Sequence, residues 1–463
     1  MIIELKSRLG LMMFLQYFVW GAWYVTLGTW LASALHFSGQ QIAWTAGTTS
    51  IGAIISPFFV GLIADRWFAT QKLLGVLHLA GAVILLQSSR QASFGPLYWG
   101  ILVYSLCYMP TLALTNSLAF RQMQQPQLEF GPIRVFGTIG WIVAGLLVGH
   151  LGIEATAIPM RLAAACSLVL GLYCFTLPMT SPLAGATEFK LGQIIPMEAI
   201  QLFRGRSMAV FALASFLICI PLQFYYAFTN LYLNEIGVHN AAGKMTGGQL
   251  SELVCMLLIP WFFRRLGVKT MLSVGMLAWA LRYFLFARGD AGTLVWMIYA
   301  GILLHGICYD FFFVVGQIYI DREAPAALRA ATQGLITLLT YGAGMLVGSW
   351  ASGWVVDRYA EQPGASGGPS HDWAAIWTVA GGASALVLVL FLFTFQQMRG
   401  NGSSSNSSSQ RWPPKAVSRT TCGAPARTSP IKAAWGATIR SAASAASADS
   451  GATTATIRPS QAR

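Results

Sequence analysis

Residues 305–313 read "HGICYDFFF" and lie inside an apolar run from about Leu294 to Ile320. About 20 consecutive apolar residues suffice to cross a bilayer, so this run is long enough to span one. His305 and Asp310 then sit at membrane depth. An ionisable side chain there is expensive, is buried against protein or water, and as a rule has a function. Similar runs recur along the chain. Of the 463 residues 55% are hydrophobic and only 10% charged, against roughly 25% charged in soluble domains. The chain is therefore a polytopic membrane protein.

Apolar runs fall near 10–35, 41–64, 72–90, 95–119, 131–153 and 158–180, and again near 207–235, 245–265, 269–287, 292–320, 328–356 and 373–396. Between the two sets lies the more polar "TSPLAGATEFKLGQIIPMEAIQLFRGRS". Two sets of six imply an all-α integral membrane fold of twelve transmembrane helices in two pseudo-repeated six-helix bundles. The predicted divisions are an N-terminal bundle over 1–180, a central cytoplasmic loop over 181–206, a C-terminal bundle over 207–398 and a basic tail over 399–463. The tail is rich in Ser, Ala, Thr, Pro and Arg, cannot bury a core, and is predicted to be disordered. The apolar segment near the start exceeds a signal-peptide core and reads as the first span.

The formal net charge of +13 does not indicate nucleic-acid binding, because the tail from Asn401 onward holds eight Lys/Arg against Asp449 alone. The other basic residues follow topology. Lys6, Arg8, Arg66, Lys72, Arg121, Lys190, Arg204, Arg206, Arg264, Arg265, Lys269, Arg322 and Arg329 gather on one side. The positive-inside rule then predicts both termini and the central loop in the cytoplasm, with the chain multi-pass in a bacterial cytoplasmic (inner) membrane as the expected location. Seven cysteines without a CxxC pair indicate neither a disulfide framework nor a metal site, and no cofactor is expected.

Polar residues inside the runs fall on helical faces. "GPIRVFGTIGW" in the fifth span sets Arg134, Thr138 and Trp141 at i, i+4 and i+7, one face carrying a cation, a hydroxyl and an indole. "GGQLSELV" in the eighth sets Gln249 and Glu252 on one face, with Arg134 the available cation for the carboxylate if spans 5 and 8 meet. "PLQFYYAFTNLYL" in the seventh sets Gln223, Tyr226 and Asn230 about a turn apart, and "LQYFVWGAW" in the first aligns Gln16, Trp20 and Trp23. Asn116 and Arg282 read as structural polar groups. In the tenth span His305 and Tyr309 share a face while Asp310 is turned about 100° away. An acid buried there is suited to trading a proton.

"GLIADRW", from Gly61 to Trp67, closes the second run. It resembles the loop motif of the major facilitator superfamily, in which a glycine at the Gly61 position permits close helix approach and an acid–base pair, here Asp65 and Arg66, latches a gate. "GPIRVFGTIGW", "LCYMPTLALTNSL", "GGQLSE", "HGICYDFFF" and "RAATQGLITLLTYGAG", in this order, together resemble the bacterial nucleoside–proton symporters of that superfamily. The resemblance runs from about residue 8 to 396. It implies the major facilitator fold and proton-coupled nucleoside import by alternating access, without enzymatic chemistry, by a monomer in the bilayer. It also implies nucleoside contacts at Arg134, Thr138, Trp141, Gln223, Tyr226, Gln249, Glu252, His305 and Tyr309, and proton coupling at Asp310 or Glu252. Better-known members carry Phe in place of Trp141, Asn in place of Tyr226, Tyr in place of His305 and Phe in place of Tyr309, which leaves base preference open.

Three rival readings remain. A carrier of another polar solute, such as a sugar or glycoside, uses the same kind of cavity. His305-x4-Asp310 has the literal spacing of a membrane acyltransferase, but i and i+5 face different ways on a helix. A non-transporting sensor would signal through the tail, which has no recognisable domain. Because the tail lies outside the resemblance, truncation after Arg399 is expected to leave uptake per inserted molecule within about twofold of the intact chain. A truncated protein that inserts normally and transports at a small fraction of that rate would give the tail a role.

Overall fold

A computed structural model describes residues 2–59, 68–180, 197–325, 328–361 and 370–396. The gate motif at Gly61, Asp65 and Arg66 and the basic tail lie outside the described residues.

Among the described residues the helices group into twelve spans. Span 1 is Ile2–Trp23 continued by Leu27–Ser33, and spans 2 to 6 are Gly39–Phe59, Thr70–Ser88, Phe94–Gln122, Pro126–His150 and Ile158–Cys174. Span 7 is Arg206–Glu235. Spans 8 and 9 lie within Ala241–Arg288, whose 48 residues would make a rod of about 72 Å at 1.5 Å per residue, far beyond one crossing. They part at Gly267, where φ is 72° and ψ 176°, a conformation open to glycine. Span 10 covers Val295–Glu323 and span 11 Arg329–Arg358, each with an internal π-helical turn (Asp310–Val314 and Leu338–Gly344), and span 12 is Trp373–Thr394. Two features were not expected from sequence. A short helix, Met197–Leu202, occupies part of the predicted central loop, and Ala360–Glu361 pairs antiparallel with Ser370–His371 between spans 11 and 12.

The packing repeats when the span number is raised by six. Spans 1 and 5, 2 and 4, and 3 and 6 pack in the first half; 7 and 11, 8 and 10, and 9 and 12 pack in the second. Between halves, span 2 meets span 11, span 5 meets span 8, and the Leu27–Ser33 end of span 1 meets span 7. This is the two-bundle arrangement expected from the runs. Large apolar side chains such as Trp99, Leu213, Trp350 and Phe393 point outward, as a lipid-facing belt requires.

Inside the first half one polar network ties four spans. Gln16 Nε2 donates to Thr111 Oγ1 at 2.7 Å, Gln16 Oε1 lies 2.8 Å from His78 Nε2, and His78 Nδ1 lies 3.0 Å from Ser167 Oγ. Tyr108 donates its hydroxyl to the Gln16 carbonyl at 2.6 Å. Gln16 is therefore occupied by its own bundle. The seam between spans 1 and 5 is equally tight: a Cβ on Gly140 would fall 2.2 Å from the Phe14 carbonyl oxygen, a backbone atom that cannot swing aside. Gly140→Val is expected to destabilise the chain by about 1–3 kcal/mol or more, the range for overpacking. The measurement is the melting temperature and monodisperse yield of purified protein, and wild-type values for both would show that the seam yields.

Candidate functional site

Spans 5, 7, 8 and 10 bring the predicted polar groups to the middle of the molecule. A narrow cleft is lined by Val25, Trp141, Tyr225, Tyr226, Met245 and Gln249, among others. Three of the nine sequence-predicted contacts, Trp141, Tyr226 and Gln249, thus share one wall system. The Trp141 ring stands edge-on to Trp20 at 5.5 Å between centroids and 76°, so Trp20 borders the site as well. Trp23 is buried against Tyr104 at 5.4 Å and belongs to the core.

A second cluster lies on span 10 and its neighbours. His305 and Tyr309 do share a face: their rings stack at 5.9 Å and 28°. His305 Nε2 lies 3.9 Å from Glu252 Oε2, and the Glu252 side chain keeps 25% exposure, enough for a solute to reach it. The Tyr309 and Tyr341 hydroxyls are 2.5 Å apart. Tyr225 joins the cluster to the cleft, lining the cleft while stacking on His305 at 5.3 Å and 20°. Behind Tyr225 the buried Arg282 holds its guanidinium carbon 4.4 Å from the ring centroid, and its Nε donates to the Gly301 carbonyl at 3.1 Å.

Gln223 and Asp310 are fully buried, and among the described residues neither the amide of Gln223 nor either oxygen of Asp310 has a hydrogen-bond partner. Buried polar groups are ordinarily satisfied, so each such group is unused binding capacity. Asp310 opens the π-helical turn of span 10. Such turns are frequent at functional sites because they reset the facing of the residues that follow. Here Phe311 packs on Phe262 at 5.0 Å and Phe312 on Trp279 at 5.4 Å, and Asp310 beside them is fully buried.

One expected association is absent among the described residues. Arg134 does not pair with Glu252; its guanidinium lies 4.0 Å over the Tyr17 ring. Spans 5 and 8 do meet, but around Gly145 and Thr246. At 1.5 Å per residue, Arg134 lies about 16 Å along its helix from that contact and Glu252 only about 9 Å. Asn230 is drawn away from the cleft by Glu154, to which it donates at 2.8 Å. Arg134, Thr138 and Trp141 are all half-buried, consistent with the common face read from their spacing. Sequence reasoning missed Tyr225 and Tyr341; the Tyr-Tyr doublet of span 7 and the "TYGAG" of span 11 were the available signals.

Comparison with known proteins gives this geometry its context. A family model described as "Nucleoside H+ symporter" matches residues 3–399. The chain is 40% identical over 386 residues to the "Putative nucleoside transporter YegT" of Escherichia coli K12, covering 81% of this chain and 90% of that one. It is 33% identical to the Xanthosine permease of the same organism, covering 82% and 93%. A crystal structure of the nucleoside transporter NupG superimposes with a TM-score of 0.78 at 30% identity, over 85% of this chain and all of that one. A peptide transporter structure at 14% identity and TM-score 0.64 shares the fold. Matched along nearly all of its twelve spans, this multi-pass membrane protein belongs to the nucleoside–H+ symporter family.

Proposed function

We propose that the chain imports nucleosides together with protons across the bacterial cytoplasmic membrane by alternating access, as a monomeric carrier and not an enzyme. One observation carries the reading in a chain of this family. Unpartnered or weakly partnered polar groups (Gln223, Glu252, His305, Asp310) converge at mid-membrane beside a run of aromatic rings. A nucleoside has the matching chemistry: a flat base for the rings of Trp141, Tyr226 and Tyr309, and ribose hydroxyls for Glu252, Gln249 and Gln223. Arg134 and Thr138 complete the site from the first half. The proposed orientation places both termini in the cytoplasm, following the basic residues. The proposed units are bundles over 1–180 and 207–398 joined through 181–206, with 399–463 as an appended tail. Gly61, Asp65 and Arg66 are assigned to a cytoplasmic gate on the sequence motif.

Asp310 is proposed as the proton carrier. Its carboxyl is wholly buried, and no cation lies within ion-pair distance among the described residues. Charge on it is therefore uncompensated, and taking up a proton removes that charge. Glu252 differs: it faces His305 and is partly exposed, as a substrate-binding carboxylate should be. A proton on Asp310 would let the loaded carrier reorient without dragging a naked charge through the closed state.

The test is uptake in proteoliposomes with a panel of nucleosides, free bases and sugars. Accumulation of at least one nucleoside is expected to collapse with a protonophore and not to be restored by a sodium gradient. Sodium-driven uptake indifferent to protonophores would sink the coupling claim, and competition by sugars but not nucleosides would move the substrate to a sugar or glycoside. Asp310→Asn is expected to bind nucleoside near wild-type affinity while losing accumulation against a gradient. Glu252→Gln is expected instead to weaken binding about tenfold or more, since a charge-assisted hydrogen bond contributes about 1.5–3 kcal/mol. Calorimetry paired with gradient uptake separates the two, and concentrative uptake by both variants would remove the carboxylates from the mechanism.

A further inference from the structure

The hydrogen bonds seen between the two halves, among the described residues, all lie at one face, the face opposite Ile2 and the near ends of spans 1 and 5. Two carboxylates dominate them. Glu154, in the connection after span 5, is 4% exposed and accepts from Asn230 Nδ2 at 2.8 Å, Asn234 Nδ2 at 2.8 Å and the Ala242 backbone amide at 3.0 Å, all in the second half. Asp357, at the end of span 11, accepts from the backbone amides of Gly39 at 2.5 Å and Gln40 at 3.0 Å in the first half. Thr29 Oγ1 adds a bond to Asn230 Oδ1 at 2.5 Å, and Gln40 Nε2 one to the Trp350 carbonyl at 3.1 Å.

These two acids are related by the internal repeat. One follows span 5 and caps the start of span 8; the other ends span 11 and caps the start of span 2. Raising the span number by six converts the first arrangement into the second. Each carboxylate meets the free amides and the positive end of a helix dipole in the opposite half, the favourable place for a negative charge. Close approach at both points depends on glycine. A Cβ on Gly149 would fall 2.0 Å from Asn240 Oδ1, and one on Gly39 would fall 2.7 Å from Val356 Cγ1.

We propose that Glu154 and Asp357 are paired positioning residues of the transport cycle, two symmetry-related latches that hold this face shut and release together when it opens. Charge-assisted bonds from a carboxylate to helix-start amides are strong enough to define a state, yet need only a small rigid-body rotation to break. Span 7 links the latch to the substrate region, because Asn230 stands one turn beyond Tyr226. With the orientation proposed above, the latched face is the outer one and the structure is inward-facing. The inference rests on that reading only for alternating access, and its test needs no nucleoside.

The experiment is amide hydrogen exchange by mass spectrometry on the purified full-length chain, comparing the first turns of spans 2 (residues 39–42) and 8 (241–244). If the latches release together, Glu154→Ala speeds exchange at both starts by roughly tenfold, about one charge-assisted hydrogen bond, although residues 39–42 touch Asp357 and not Glu154. Asp357→Ala does the same in the reverse direction. Acceleration confined to the directly capped helix in both variants would reduce the acids to local caps and overturn the proposal. Span 3 (residues 70–88) is the folding control and should not change. Should it accelerate too, Glu154→Gln and Asp357→Asn, which keep an acceptor oxygen but drop the charge, decide by the same comparison. Unchanged exchange at both starts, with or without loss of uptake, would equally overturn the proposal.

Discussion

A buried, unpartnered carboxyl in the middle of a helix bundle surrounded by lipid is the constraint on which this structure turns. Among the described residues neither oxygen of Asp310 has a hydrogen-bond partner, and the side chain is fully buried. Charge on a group so placed is costly at membrane depth. In the first half Gln16, His78, Thr111 and Ser167 close one network across spans 1, 3, 4 and 6. Among the described residues, the second half leaves the Gln223 amide, both Asp310 oxygens and one nitrogen of His305 without hydrogen-bond partners. The first half contributes Trp141 and Trp20, whose rings meet edge-on at 5.5 Å.

Much of this was legible from the chain alone, wherever one helix supplied both residues of a relation. The His305–Tyr309 stack, the separate facing of Asp310 and the shared face of Arg134, Thr138 and Trp141 follow from 3.6 residues per turn. So does the number of spans, since hydrophobic length is fixed by the bilayer. Relations between helices were not legible. Whether Arg134 reaches Glu252 depends on where along their lengths spans 5 and 8 touch, and that is set by small residues such as Gly145 opposite Thr246. The spacing of Gln16 from Trp20 placed the two on one face, but the neighbours that absorb Gln16 come from spans distant in sequence. The π-helical turn at Asp310 left no mark in the pattern of apolar residues, which continues unbroken through "DFFFVV".

The positions at which, by the resemblance read from the sequence, this chain departs from better-known family members form one connected structure. Ring contacts run from Trp141 to Trp20 at 5.5 Å, Trp20 to Tyr24 at 5.9 Å, Tyr24 to Tyr226 at 6.3 Å and Tyr226 to Tyr225 at 5.8 Å. They continue to His305 at 5.3 Å and Tyr309 at 5.9 Å. Trp141, Tyr226, His305 and Tyr309, the four departures, are all members of this arc, and it crosses between the halves at Tyr24 and Tyr226. A change of size or polarity at one member alters the stacking partner available to the next, so the four substitutions act as one remodelled surface. An amide at the position of Tyr226 would offer a donor and an acceptor to a base edge, whereas the phenol offers a ring face and one hydroxyl. The imidazole at His305 moves hydrogen-bonding capacity one turn along, beside Glu252. Under the proposed function, recognition would lean on stacking between the halves and on polar contacts drawn toward span 10, so that the same rings that would hold a flat solute also join the two halves of the chain.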